Sequence, residues 1–260
     1  MITICFANQK GGVGKTTMCV NIAGILTLIK KKKVLLIDAD PQCSATSYFF
    51  DPAMDEAKTI TALFEPQPRP DADIIHQTRI ASGKNRLDLV PGGYTLSGSI
   101  TEIASIPNVG ARVKDFLSKY QDKYDYCLID CPPDIGYFTM NAFIASEWII
   151  VPIQPERLAV WGVSQLIERI VHFQTANKNL KILGVFTSMF QAQYKSQKEW
   201  NEEIKKMFPD KFLGEIHRSV IYGKAWDQTK LLCEMNVKTD RPYRELASLA
   251  NLIIEITAGK

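Results

Sequence analysis

Short runs of β-branched and apolar residues recur along the chain, separated by longer stretches in which apolar positions return every three or four residues. Ile2–Ala7, Val34–Ile37, Arg86–Val90, Tyr126–Ile129, Trp148–Ile153 and Ile182–Phe186 are the short runs. They are apolar nearly throughout instead of alternating, as strands buried on both faces should be. A glycine loop follows the first run, and a helix is expected from Lys15 to Leu28. Strands separated by helices predict an α/β fold: one doubly wound, mostly parallel sheet with helices on both faces. Pro66 to Asp73 is the most loop-like stretch, and the strand pattern resumes soon after it. It therefore reads as an excursion from a single domain spanning residues 1–260, not as a linker. Lys30–Lys33 lies between a helix and a strand and reads as a solvated helix end favoured by the C-terminal dipole.

Composition narrows the class. With 46% apolar residues and a net charge of only +3, the chain is not disordered. No uninterrupted apolar stretch approaches the ~20 residues of a membrane-spanning helix. The opening Met-Ile-Thr-Ile-Cys-Phe-Ala has no basic lead, so no secretory signal is expected. The six cysteines (Cys5, Cys19, Cys43, Cys127, Cys131 and Cys233) form no Cys-x-x-Cys pair and read as reduced core thiols of a cytosolic protein. Residues 1–130 hold 15 basic and 14 acidic side chains and residues 131–260 hold 16 and 14, so neither half announces a polyanion partner.

The strongest chemical signal is Gln9-Lys10-Gly11-Gly12-Val13-Gly14-Lys15-Thr16-Thr17, placed after a strand and opening a helix. Glycines without Cβ atoms let consecutive N–H groups converge on a phosphate, and the helix N-terminus adds partial positive charge. Lys15 is placed for the β- and γ-phosphates and the Thr16 hydroxyl for Mg²⁺. The strict phosphate-loop pattern wants glycine where this chain has Gln9. Two further strands end in carboxylates at what should be the same sheet edge: Val34-Leu35-Leu36-Ile37-Asp38-Ala39-Asp40-Pro41-Gln42 and Tyr126-Cys127-Leu128-Ile129-Asp130-Cys131-Pro132-Pro133. A hydrophobic strand delivering one aspartate is the Walker B arrangement, which sets Asp130 to hold Mg²⁺ through water. Guanine-specific Asn-Lys-x-Asp is absent, since Asn177-Lys178-Asn179 is followed by Leu180. Adenine is favoured by default.

Lys10 gives the loop a sharper identity. Lys-Gly-Gly-Val-Gly-Lys-Thr-Thr resembles the deviant Walker A motif of the ParA/MinD family of ATPases, and Asp-Ala-Asp-Pro-Gln and Asp-Cys-Pro-Pro resemble that family's other signatures. The resemblance runs from Ile2 to about Ala250 and is greatest to the short, Soj-like ParA proteins. It implies ATP and Mg²⁺ as cofactors, bound by Lys10, Gly11, Gly12, Val13, Gly14, Lys15, Thr16 and Thr17. It implies that Lys10 reaches across a nucleotide-sandwich homodimer to the partner's phosphates, where a cation stabilises charge developing at the scissile bond. Asp40 is expected to orient or activate the attacking water, with Thr16, Asp38 and Asp130 around the metal. Leu87-Asp88-Leu89-Val90-Pro91-Gly92-Gly93 and Val151-Pro152-Ile153-Gln154-Pro155-Glu156 resemble the family's third strand and the strand end that shapes the pocket. Met189 and Arg218 fall where relatives contact the base. One departure stands out: Cys43-Ser44 replaces the Gly-Asn that ParA relatives often carry after Asp-Pro-Gln.

By that resemblance the chain is expected to be a weak, partner-stimulated ATPase. It would hold non-specific DNA as an ATP dimer and distribute a plasmid, chromosome or large protein cargo with a ParB-like or adaptor partner. Its place would be cytoplasmic and nucleoid-associated. With the phosphate loop at residue 10, no N-terminal DNA-reading domain is expected. The alternative is a MinD-like membrane-associated regulator, which needs a basic amphipathic C-terminal helix. Tyr243, Leu246, Leu249, Ala250, Ile253 and Ile254 do have helical spacing, but Arg241, Arg244 and Lys260 are opposed by Glu245 and Glu255. A helix packed on the core is the better reading. A metal-cluster carrier of the same superfamily lacks paired exposed cysteines here, and a metabolic kinase has less use for Lys10.

Overall fold

The computed structural model describes residues 1–51, 53–65, 73–94 and 108–259; most of the Pro66–Asp73 stretch lies outside them. Its strands are β1 (Ile2–Phe6), β2 (Val34–Asp38), β3 (His76–Ser82), β4 (Asn85–Val90), β5 (Tyr126–Asp130), β6 (Trp148–Ile153), β7 (Lys181–Phe190) and β8 (Phe212–His217). Its helices are α1 (Lys15–Leu28), α2 (Arg112–Ser118), α3 (Tyr137–Ala145), α4 (Arg157–Phe173), α5 (Lys195–Met207), α6 (Ile221–Asp227) and α7 (Arg241–Ala258), with several short 3₁₀ turns between. The strands form one sheet in the order β3-β4-β2-β5-β1-β6-β7-β8. Every pairing is parallel except β3 with β4.

The unbroken apolar runs have the predicted cause. Along β1, Ile4 and Phe6 point into a core shared with α1 and α7, while Cys5 points into the other core, shared with α2, α3 and α4. The same split divides Leu36 from Leu35 and Ile37 on β2, and Leu128 from Cys127 and Ile129 on β5. Both faces of the central strands are therefore water-free, and no polar alternation survives.

β3 and β8 were not expected from the pattern, because they are edge strands. In β3, Gln77, Arg79 and Ala81 are exposed and only Ile80 is fully buried. β3 returns onto β4 through a turn at Gly83, whose φ of +64° suits glycine. In β8 only Leu213 and Ile216 are buried.

The lysine run behaves as a helix end: the Lys31 ammonium donates to the Leu28 carbonyl oxygen at 2.8 Å, among the unpaired carbonyls of the last turn. At the other end of the chain, α7 buries Tyr243, Leu246, Leu249, Ala250 and Ile253 in the core, and a hydrogen bond of 2.9 Å joins Tyr126 Oη to Thr257 Oγ1. Its apolar face is occupied, which leaves no such stripe for a lipid surface. Among the described residues no helix is long and apolar enough to cross a membrane.

Candidate active site

The sheet reverses its direction of growth at β1, which lies between β5 and β6 while the chain proceeds first to β2 and later to β6. Ligands of such sheets sit at the carboxyl ends of the strands beside that switch point. The phosphate-loop residues lie there. Gly12 and Gly14 have φ of +72° and +85°, a left-handed backbone that curls the loop so that Lys15 opens α1. A cleft of about 410 Å³ faces this loop. Gly11, Gly12, Gly14, Lys15, Thr16 and Thr17 line one side, and Asp40, Tyr48, Pro133, Met189 and Trp226 are among the residues opposite. Lys15 is buried, its ammonium 3.4 Å from the Lys10 carbonyl oxygen.

The two aspartate-bearing strands are in register, Asp38 beside Asp130, on neighbouring β2 and β5. Both carboxyls are fully buried. Neither oxygen of Asp130 has a hydrogen-bond partner. Burial, then the Asp38 charge, holds its carboxyl well above the usual range, with Thr16 and Lys15 pulling the other way. Such a carboxylate, beside a threonine hydroxyl at the mouth of a phosphate loop, fits a hydrated divalent cation that neutralises it. Among the described residues no group of three or more His, Cys, Asp or Glu side chains makes a self-sufficient metal site. Phosphate oxygens and water would have to complete the shell.

Asp38, expected in the metal shell, is also the anchor of its own loop. Its Oδ2 accepts hydrogen bonds from Thr46 N–H at 2.8 Å and Thr46 Oγ1 at 2.7 Å, and its Oδ1 accepts from Asp40 N–H at 3.2 Å. Burial raises it to about 6 against those hydrogen bonds. Three donors thus tie Asp38 to the loop, two on Oδ2 and one on Oδ1, and its remaining acceptor capacity lies on Oδ1. Asp40 is different: it lines the cleft, and its Oδ1 accepts from Gln42 N–H at 2.9 Å. Thr46, which the sequence reading passed over, also accepts from Gly92 N–H at 2.8 Å and so ties the β2 loop to the end of β4. A Cβ on Gly92 would stand 3.1 Å from Asp38 Cγ and from Cys43 Sγ, which explains the glycine in the Pro91-Gly92-Gly93 turn.

Cys43 has a left-handed backbone, φ of +53°, a conformation that favours glycine. That geometry costs an ordinary residue about 1–2 kcal/mol. Its buried thiol is pushed up to about 12 by burial and by Asp38, Glu56 and Asp40, so it is an inert filler. All six cysteines are free and buried, as expected of core thiols.

Lys10 turns away from its own loop. Its ammonium donates to Glu156 Oε2 at 2.5 Å and Gln154 Oε1 at 3.1 Å, both just beyond β6. Asn8 braces the loop, donating to the Pro152 carbonyl oxygen at 2.6 Å and accepting from Lys10 N–H at 3.0 Å. Met189 has φ of +52° and lines both the phosphate cleft and a smaller adjoining pocket of about 190 Å³, which Val13 and Arg218 also border. Ser188 and Tyr222 line this second pocket too, and no sequence motif singled them out.

The profile of the AAA domain family AAA_31 matches residues 1–182. The sporulation initiation inhibitor protein Soj of Bacillus subtilis (strain 168) is 36% identical over 84% of this chain and 83% of its own. A putative plasmid partition protein of Borrelia burgdorferi B31, solved with AMPPNP, superposes with a TM-score of 0.78 at 27% identity over 98% of each chain. An aspartate-to-alanine variant of Cyanothece McdA in complex with ATP shares the fold, with a TM-score of 0.82 at 24% identity over 99% of this chain and 96% of that one. With these matches covering the sheet and the whole phosphate cleft, the chain belongs to the ParA/Soj family of partition ATPases within the AAA domain class.

Proposed function

We propose that the chain binds ATP with Mg²⁺, closes as an ATP-sandwich homodimer, and uses hydrolysis to reset a cargo-positioning cycle on DNA. The observation that carries this reading is the pair of loop lysines in opposite states. Lys15 is buried at the cleft, whereas Lys10, five residues earlier, is turned outward and held by Glu156 and Gln154. A cation presented outward beside a phosphate cleft suits a second copy's nucleotide. The Borrelia burgdorferi relative, solved with AMPPNP, supports the ligand class.

In this reading the loop amides and Lys15 bind the phosphates, Thr16 and Asp130 hold the hydrated Mg²⁺, and Asp38 with Thr46 fixes the loop that presents Asp40. Mg²⁺ supplies charge neutralisation at the phosphates. Asp40 orients the attacking water, and Lys10 from the second copy offsets charge on the phosphoryl oxygens. Met189 and Arg218 stand at the base. The DNA surface would draw on the basic side chains late in the chain. Of the basic side chains between Lys195 and Lys230, Lys195, Lys205 and Lys206 pair with glutamates on or beside α5, and Arg218, Lys224 and Lys230 are exposed. A ParB-like or adaptor protein is the expected stimulating partner.

Lys10→Ala tests the reading. It should leave ADP binding intact, because that pocket is built within one chain, and should weaken ATP-dependent dimerisation measured by light scattering. Retention on plain duplex DNA should fall with it, since two modest basic surfaces bind a polyanion better joined than apart. Dimerisation equal to the parent's would overturn the sandwich. Retention by anionic vesicles in place of DNA would favour the membrane alternative.

A further inference from the structure

Three segments meet at the amino ends of β4, β2 and β5, the edge of the sheet opposite the phosphate cleft. They are residues 29–33 after α1, residues 82–86 around the turn from β3 to β4, and residues 119–125 before β5. Together they hold eight lysines and arginines against two aspartates, a net charge of +6, whereas the whole chain carries +3. The rest of the chain therefore sums to −3, and the positive charge is concentrated at this edge. Tertiary contacts make one surface of the three segments. Lys33 N–H donates to Asp125 Oδ2 at 2.7 Å, and Asp125 N–H donates to the Lys33 carbonyl oxygen at 2.8 Å. The Lys31 ammonium donates to Ser82 Oγ as well as to the last turn of α1. Arg86 Nε and Tyr124 Oη both donate to Asp88 Oδ2, at 2.9 and 2.7 Å. Val34 is in register with Leu87 and with Tyr126, so the preceding Lys33 lies between Arg86 and Asp125.

Helix-end solvation accounts for Lys31 but not for the convergence of Lys84, Arg86 and Lys123 on the same edge, all of them exposed. Among the acids there, Asp88 is buried against Arg86 and Tyr124, and Asp125 is engaged by the Lys33 amide. Asp122 and, in the last turn of α7, Glu255 face solvent. Ile29 is the only large apolar side chain exposed in these segments, at 37%. A lipid surface needs a broader apolar face to insert. Cations spread over strands about 5 Å apart suit a phosphate backbone instead. We infer that this edge holds the backbone of duplex DNA, without reading its sequence, as a contact separate from the basic side chains late in the chain. The inference rests on the DNA reading above and adds a surface that a single copy carries complete. In a sandwich whose clefts face each other, the two edges lie at its outer ends and stay open to DNA.

The experiment titrates the full chain, with ADP and with ATP and Mg²⁺, against a short duplex of arbitrary sequence over a range of salt. A Lys30→Gln, Lys33→Gln, Lys84→Gln variant removes three charges and leaves the Lys31 and Arg86 contacts in place. It should flatten the slope of log affinity against log salt by about 2–3 and weaken binding about tenfold or more at low salt, in both nucleotide states. Its melting and its ATP affinity should match the parent's, and arginine at the same three positions should restore DNA binding. An unchanged slope, or a loss that arginine does not restore, overturns the inference while leaving the DNA reading with Lys224 and Lys230, whose paired glutamine variant would then lose binding. Parental binding to phosphatidylglycerol vesicles and not to the duplex, lost with the same three lysines, would overturn it in favour of a lipid surface. A parent that binds the duplex in neither nucleotide state would sink the DNA reading itself, and the inference with it.

Discussion

At the scale of single residues, the cleft separates binding from chemistry. Lys15 is the buried cation of the loop and lines the cleft, whereas the Lys10 ammonium is committed to Glu156 and Gln154. Lys15→Ala should therefore abolish ATP binding in a calorimetric titration. Asp40 lies across the cleft with one oxygen engaged by its own turn. Asp40→Ala should spare ATP binding and slow hydrolysis by ~10²–10⁴-fold, the range for a lost general base or water-orienting group. The ATP-bound dimer should then accumulate. Normal phosphate release by that variant would reduce Asp40 to a turn residue. The loop holding it tolerates a left-handed Cys43 because Thr46, Asp38 and Gly92 determine its path from three sides.

At the scale of elements, two features of the sheet have measurable consequences. Gly184 lies where β7 meets β8, and a Cβ there would stand 2.6 Å from the Lys211 carbonyl oxygen and 2.4 Å from Leu213 Cγ. Gly184→Ala should cost about 1–3 kcal/mol by overpacking, read as a lower denaturation midpoint, despite alanine's smaller entropy cost. The second feature is the pair of carboxyls at the ends of β2 and β5. In metal-free protein the unfolded chain ionises Asp38 near the ordinary 3.8, while the fold delays it to about 6 and holds Asp130 up as well. The folded state thus binds more protons across that window. Stability contributed by these groups is present at low pH, declines as pH rises through the window, and stays lost above it. Asp130→Asn should accordingly melt above the parent in chelator at neutral pH, with the gap closing toward acid, while losing Mg²⁺-dependent ATP binding. A variant less stable than the parent at neutral pH would contradict the charge cluster.

At the scale of the whole molecule, the proposed sandwich homodimer would require a contact within one copy to open. Lys10 and Glu156 are 146 positions apart in sequence, yet their side chains meet at 2.5 Å in one copy. A lysine that reaches a second copy's phosphates must leave that partner. The pair is partly exposed, 35% and 44%, so its worth is about 0.5–1 kcal/mol after solvent screening. Glu156→Gln should shift ATP-dependent dimerisation to about two- to fivefold lower protein concentration by analytical ultracentrifugation. An unchanged midpoint would mean that the contact does not restrain the lysine.

What the sequence by itself determined is what is local or repetitive. The phosphate loop was legible because its function is a backbone shape and a helix start, both specified by nine consecutive residues, Gln9 to Thr17. The central strands were legible because burial on both faces leaves continuous apolar runs, and the two carboxylates because each ends such a run. β3 and β8 were not, since an edge strand with solvent on one side carries a mixed pattern that a loop can share. The direction in which Asp38 spends its oxygens and the outward hold on Lys10 were decided only by tertiary structure. Each of these is a contact between segments distant in the chain or a choice between neighbouring hydrogen-bond donors. Only packing the strands in register and laying α1, α4 and α6 against their ends fixes which groups come within 3 Å of one another.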